Sequence, residues 1–178
     1  GRKDRNIMIF GLVKPSLDAH TLGINSVADI IKSCGYEVFV APTEVSDILD
    51  VIGKQNNWEI FRSWIFHNKI SNFGFSYRLD INSAVNVFGK LFFEMKSKRI
   101  MSYQGGPITN VYFAGLPKAC SIISDEYKGE VKVFEGSETP LEVVSILGIP
   151  NNFIPDDFKQ GSLYDESRMS FAKKIIKD

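Results

Sequence analysis

Apolar residues in this chain fall into short runs separated by stretches of helical period. Residues 6–13 contain Ile7-Met8-Ile9-Phe10-Gly11-Leu12-Val13, an apolar run with no alternation. Such a run is long enough for one strand and predicts burial on both of its faces. From Ile24 the period changes: Ile24, Val27, Ala28 and Ile31 recur at helical spacing, and Gly35 stands where that helix should stop. Residues 36–41 predict a second strand. Pro42 and Thr43 then open a second helix on Val45, Ile48, Leu49 and Ile52, ending near residues 53–57. Within 58–70, Phe61, Trp64 and Ile65 share a helical face, although the aromatic content also suits a strand; a helix is the expectation. Residues 72–79 predict a third strand and 82–96 a long helix on Ala84, Val87, Leu91 and Met95.

A Gly/Pro loop over 102–109 leads to a fourth strand at 110–114, a helix at 117–127 and a fifth strand at 131–134. Thr139-Pro140-Leu141-Glu142 then combines an N-cap threonine, a proline in the first turn and a glutamate placed for a capping box. That helix runs to Leu147, with Gly148 as its stop and Pro150 beyond. A last amphipathic helix is expected over 165–177 on Met169, Ala172 and Ile176.

Strands alternating with helices through short connections imply a parallel sheet covered by helices on both faces. Right-handed crossovers place the loops that follow the strands along one edge, where ligands of such folds bind. The loops at that edge are 14–23, 42–43, 78–82, 115–117 and 135–139. The expected organisation is one domain over 1–150 and an extension or linker helix over 151–178.

Composition narrows the function classes. The chain has 178 residues, 44% hydrophobic, enough for one sizeable core. Lys+Arg and Asp+Glu are equal at 21 each without long single-sign runs, so no electrostatic footprint for nucleic acid or an anionic membrane is expected. Apolar runs are too short to span a bilayer, and Arg2, Lys3, Asp4 and Arg5 lead straight into a strand pattern rather than a signal peptide. Cys34 and Cys120 sit in apolar helical patterns and predict buried thiols, with a reducing cytoplasm as the compartment. Gly105-Gly106-Pro107 lacks the Lys-Ser/Thr of a phosphate loop, and no Gly-x-Gly-x-x-Gly follows the first strand.

Candidate chemistry concentrates in the loop after the first strand, Ser16-Leu17-Asp18-Ala19-His20-Thr21-Leu22-Gly23. One of the chain's 2 histidines lies here. Imidazole suits borderline transition metals, and a nearby carboxylate that accepts its second N–H fixes the tautomer. Asp18 is placed to do so, and Gly23 leaves room for a bulky ligand at the start of the helix. On the residues alone, a loop histidine beside an aspartate is usually just a solvated pair.

The pattern resembles the cobalamin-binding domain family, whose signature Asp-x-His-x-x-Gly follows the first strand of a flavodoxin-like sheet; Asp18, His20 and Gly23 meet it. Asn25 and Val27 resemble the methionine-synthase-like form of the motif, and the resemblance covers most of 6–150. It implies a five-stranded parallel sheet in the order 2-1-3-4-5, with His20 as the lower axial ligand of cobalt. Asp18 would hydrogen-bond His20, and Gly23 would let the displaced nucleotide tail pass. Ser76 matches the serine of the family's Ser-x-Leu signature, with Arg78 in place of the leucine. Ala114-Gly115 keeps one glycine of its Gly-Gly. Gly136, with Ser137 and Glu138, would border the tail. Arg78, not covered by the motif, could reach the cofactor phosphate or a propionamide, but is expected to pair with Asp80.

The expectation is therefore a module that holds the corrinoid base-off and presents it to a partner catalytic domain, with no catalytic residue of its own. Ser-Tyr-Arg-Leu-Asp at 76–80, Gly-Leu-Pro at 115–117 and Glu-Thr-Pro at 138–140 look similar to N-terminal cobalamin domains of radical S-adenosylmethionine proteins. Those carry S-adenosylmethionine and an iron-sulfur cluster on a downstream domain, which would make this chain a piece of a longer protein or a separate subunit. Two alternatives remain: the cobalamin subunit of a mutase or corrinoid methyltransferase, and a flavodoxin-like interaction or sensor domain without cofactor.

Overall fold

The structure, a computed structural model, describes residues 8–18 and 22–158. Five strands, β1 (Ile9–Val13), β2 (Glu37–Val40), β3 (Asn72–Tyr77), β4 (Asn110–Gly115) and β5 (Val131–Phe134), form one sheet in the order β2-β1-β3-β4-β5. Every pairing is parallel. The fold is the flavodoxin-like α/β sandwich expected from the sequence. Connecting helices are α1 (Leu22–Ser33), α2 (Thr43–Ser46), α3 (Asn57–His67), α4 (Ile81–Ser97), α5 (Pro117–Glu126) and α6 (Pro140–Leu147). Within the segment 58–70, ambiguous by composition, the chain is helical as far as His67, and Trp58, Phe61, Trp64 and Ile65 bury at helical spacing. The helix expected over 165–177 lies outside the described residues.

The two helical layers differ in character. On one face α2, α3, α4 and α5 cover Phe73, Phe75, Tyr77, Val111 and Phe113. Phe75 stacks on Phe113 with ring centroids 6.0 Å apart, and Phe88 of α4 meets Phe113 edge-on at 5.3 Å. On the other face, among the described residues, the helices α1 and α6 pack over Phe10, Leu12, Tyr112 and Phe134. The core of this layer continues past residue 150, since Phe153 and Ile154 are buried in it. Strand β3 explains the asymmetry. Its aromatic residues point to the first face, whereas the alternate positions, Asn72, Gly74 and Ser76, give the α1/α6 face only small or polar groups. Asn72 is satisfied by Asn110, whose amide donates to it at 2.7 Å.

One expected helix is broken. The stretch expected to be continuous from Pro42 to Ile52 is a single turn, α2, followed by a 3₁₀ turn at Leu49–Val51. Ser46, Asp47 and the β-branched residues around them favour helix weakly, and the Asp47 carboxylate accepts from the Ser16 hydroxyl of another loop. Burial of Val45, Leu49 and Ile52 survives the break.

Helix α6 ends as its sequence dictates. Thr139 Oγ1 accepts from the Glu142 N–H, Glu142 Oε1 accepts from the Thr139 N–H, both at 3.2 Å, and Gly148 closes the helix at φ 78°. A buried phenol adds a tie: Tyr112 Oη donates to the Leu147 carbonyl at 2.9 Å. Replacing Thr139 with Ala removes the cap and is expected to cost about 1 kcal/mol, read as a lower urea midpoint at unchanged slope.

Candidate functional site

Sheet topology creates the site. The chain leaves β1 towards α1 on one face and leaves β3 towards α4 on the other, so the loops after these adjacent strands diverge at the carboxyl edge. Ligands of open α/β sheets bind in the crevice that such a reversal opens.

A buried carboxyl group holds the two loops together there. Asp18 is fully buried (0% exposed), and its Oδ2 accepts the backbone N–H of Arg78 at 2.6 Å. A buried carboxyl needs partners in either protonation state, because its desolvation is otherwise uncompensated. The loop leading to it is a tight turn: the Asp18 N–H donates to the Pro15 carbonyl at 3.0 Å. The Lys14 ammonium folds back to donate to the carbonyls of Asp18 and Pro15, and the Ser16 hydroxyl donates to the Asp47 carboxylate. Leu17, between these anchors, points into solvent (72% exposed). His20, the expected metal ligand, lies outside the described residues, as do Ala19 and Thr21. Gly23 is exposed in the first turn of α1, and a Cβ there would meet nothing within 4 Å.

The structure separates the remaining candidates. Ser76 pairs in register with Ala114, so the two sit side by side on the α1/α6 face. The Ser76 hydroxyl has no hydrogen-bond partner among the described residues, although the side chain is buried. Gly115 faces the other way. A Cβ on it would lie 2.8 Å from the Phe113 ring and 2.9 Å from the Tyr77 carbonyl, so close packing under the α4 layer requires a glycine there.

Arg78 departs from expectation. It does not pair with Asp80, whose carboxylate instead caps α4 by accepting the Ser83 N–H at 3.0 Å; these bonds hold the Asp80 carboxyl below its ordinary pKa. The Arg78 side chain lies across Gly136, beyond β5. Gly136 has φ 96°, and a Cβ on it would overlap the guanidinium, standing 3.0 Å from its central carbon. Both oxygens of Glu138 are occupied by backbone donors, the N–H groups of Glu135 and Gly136, at 2.6 and 2.9 Å. The sequence singled out Gly136 as a tail-bordering glycine but gave no sign that Arg78 would fill the space above it.

A buried thiol lies beneath this edge, at the ends of β4 and β5, and an open cavity lies away from it. Cys120 is buried, with Sγ donating to the Phe134 carbonyl at 3.1 Å, and its thiol is pushed up to about 11, chiefly by burial. An open cavity of about 710 Å³ lies along the outer side of α4, lined by Asp50, Gly53, Asn86, Lys90, Phe93 and Tyr127 among others, none of them at the carboxyl edge. Among the described residues no group of three or more His, Cys, Asp or Glu is gathered for a metal ion, and no helix is long and apolar enough to cross a membrane. No family model matches the chain, and no curated protein matches it.

Asp18→Ala is expected to destabilise the fold by about 1–3 kcal/mol, because it leaves the Arg78 N–H without its acceptor. Asp18→Asn retains an acceptor oxygen and should cost less; urea unfolding of the two variants checks the order. For the thiols, both buried in the native chain, Ellman's reagent at pH 8 is expected to titrate them only after denaturation. Folding holds the Cys120 proton more tightly than the unfolded chain does. This thiol's share of the stability is therefore complete below the ordinary value of 9.0 and declines as pH rises towards about 11.

Proposed function

We propose that the chain is a cobalamin-binding module, in which His20 ligates cobalt from below and the corrinoid is presented to a partner catalytic domain. The observation that carries this reading is Asp18. A fully buried carboxyl group, tied to the end of β3, fixes the turn that leads into His20 two residues later. That supplies what a single axial imidazole needs, a backbone held in place on a rigid element with a carboxylate close by in sequence.

The other residues fit the group. Gly23 opens space at the start of α1, and Ser76 offers a hydroxyl with no partner among the described residues, beside the small side chain of Ala114. Together they would admit and hold a nucleotide tail between α1 and α6. Gly115, by contrast, is explained by packing beneath the opposite layer and is not needed for this role. The cofactor supplies cobalt chemistry when bound, and this chain's residues bind and orient it. A radical S-adenosylmethionine domain, bearing its iron-sulfur cluster on another part of the protein, is the proposed partner. The proposed setting is the cytoplasm, without nucleic-acid or membrane contact.

Chain mixed with hydroxocobalamin and desalted should retain a corrinoid absorption spectrum characteristic of histidine ligation. His20→Ala is expected to lose that spectrum or to weaken retention by about tenfold or more, the scale of a lost metal ligand or of its supporting contact. Equal retention with an identical spectrum in the variant would overturn the assignment.

A further inference from the structure

We propose that Arg78, laid across Gly136 at the carboxyl edge, is an anchor for the phosphodiester of the ligand's nucleotide tail. The inference rests on the cobalamin reading and adds to it a residue and a chemical class of contact. Four observations point the same way. First, the Arg78 backbone is fixed, since its N–H is held by the buried Asp18 carboxyl at 2.6 Å. Second, the side chain turns away from Asp80, its nearest acid in sequence, which is engaged in capping α4. Third, the guanidinium rests over residue 136, a glycine at φ 96°, where a Cβ would displace it. Fourth, Glu138, the acid next along this edge, directs both oxygens to the N–H groups of Glu135 and Gly136, and Arg78 forms no ion pair with a described residue.

A half-buried guanidinium without a carboxylate partner, at the ligand edge of the sheet, is a site for an anion. Its planar fork matches the paired oxygens of a phosphodiester better than a point charge would. Ser76 lies in β3 two residues before Arg78, with its hydroxyl uncommitted among the described residues. The end of β3 and the residue that follows it thus offer a neutral donor and a charged fork close together in sequence. Leucine at position 78, the residue of the family signature, could supply neither charge nor hydrogen bond.

The test compares two corrinoids, hydroxocobalamin and diaquacobinamide. The second has the same ring and cobalt but lacks the nucleotide and its phosphodiester. Dissociation constants from absorption titrations are measured for the unaltered chain, Arg78→Gln and Gly136→Ala, with far-UV circular dichroism confirming that each variant is folded. Arg78→Gln is expected to weaken hydroxocobalamin by about tenfold or more and to leave diaquacobinamide within about twofold, the scale of one lost hydrogen bond to a charged group. Gly136→Ala, which displaces the guanidinium, should reproduce that selective loss. Arg78→Lys keeps the charge without the fork and should fall between. Equal effects on both corrinoids, or no effect on either, would overturn the anchor while leaving the cobalamin reading standing. Failure of the unaltered chain to bind either corrinoid would overturn the reading and this inference with it.

Discussion

At the carboxyl edge of this sheet a buried hydrogen bond joins two loops that the topology sends apart. The Asp18 carboxyl, fully buried, accepts the Arg78 N–H and thereby joins the loop after β1 to the end of β3. These strands are adjacent, but the chain leaves them towards opposite helical layers. Without a crossing contact, nothing in the sheet ladder would keep their loops together, because ladder bonds stop where the strands stop. Burial makes the contact decisive: breaking it strands a polar group where solvent cannot replace the partner. The same bond fixes the backbone from which the Arg78 side chain departs, so the turn before His20 and the guanidinium over Gly136 are positioned together.

A second constraint is the division of β3 into unlike faces. Phe73, Phe75 and Tyr77 build an aromatic core with Phe61, Phe88 and Phe113, and that layer takes four helices. Asn72, Gly74 and Ser76 face the other way, with Leu12 leaning over Gly74 and, among the described residues, α1, α6, Phe153 and Ile154 in the core on that side. The larger aromatic cluster thus lies on one side of the sheet and a smaller core on the other. Small residues at the centre of a sheet forgo the burial that larger side chains would give, and the aromatic face offsets that loss.

Much of the architecture was legible along the chain because each element carries its own signal. Residues Val131–Phe134 form the fifth strand at the bounds expected from their apolar run, and Thr139 with Glu142 announces α6 through a cap made entirely of neighbouring residues. Local signals failed where two of them conflicted. The helix expected from Pro42 to Ile52 has the right apolar spacing, but Ser46 and Asp47 interrupt it, and the Asp47 carboxylate is drawn to Ser16 on another loop. The site was legible as residue types in a loop. Sequence spacing placed Asp18 two residues before His20, but it could not show that Asp18 is buried or that Arg78 is its partner sixty positions away.

The sequence by itself determined the succession of strands and helices, the parallel sheet they imply, and the edge at which chemistry belongs, since periodicity, caps and turns act over a few residues. Only the tertiary structure decided which side of the sheet each small residue faces. It separated Ser76 from Gly115, sent Asp80 to a helix cap and laid Arg78 across Gly136. Those outcomes depend on contacts between strands distant in the chain, and they are set by competition for buried volume and hydrogen-bond partners that no local pattern encodes.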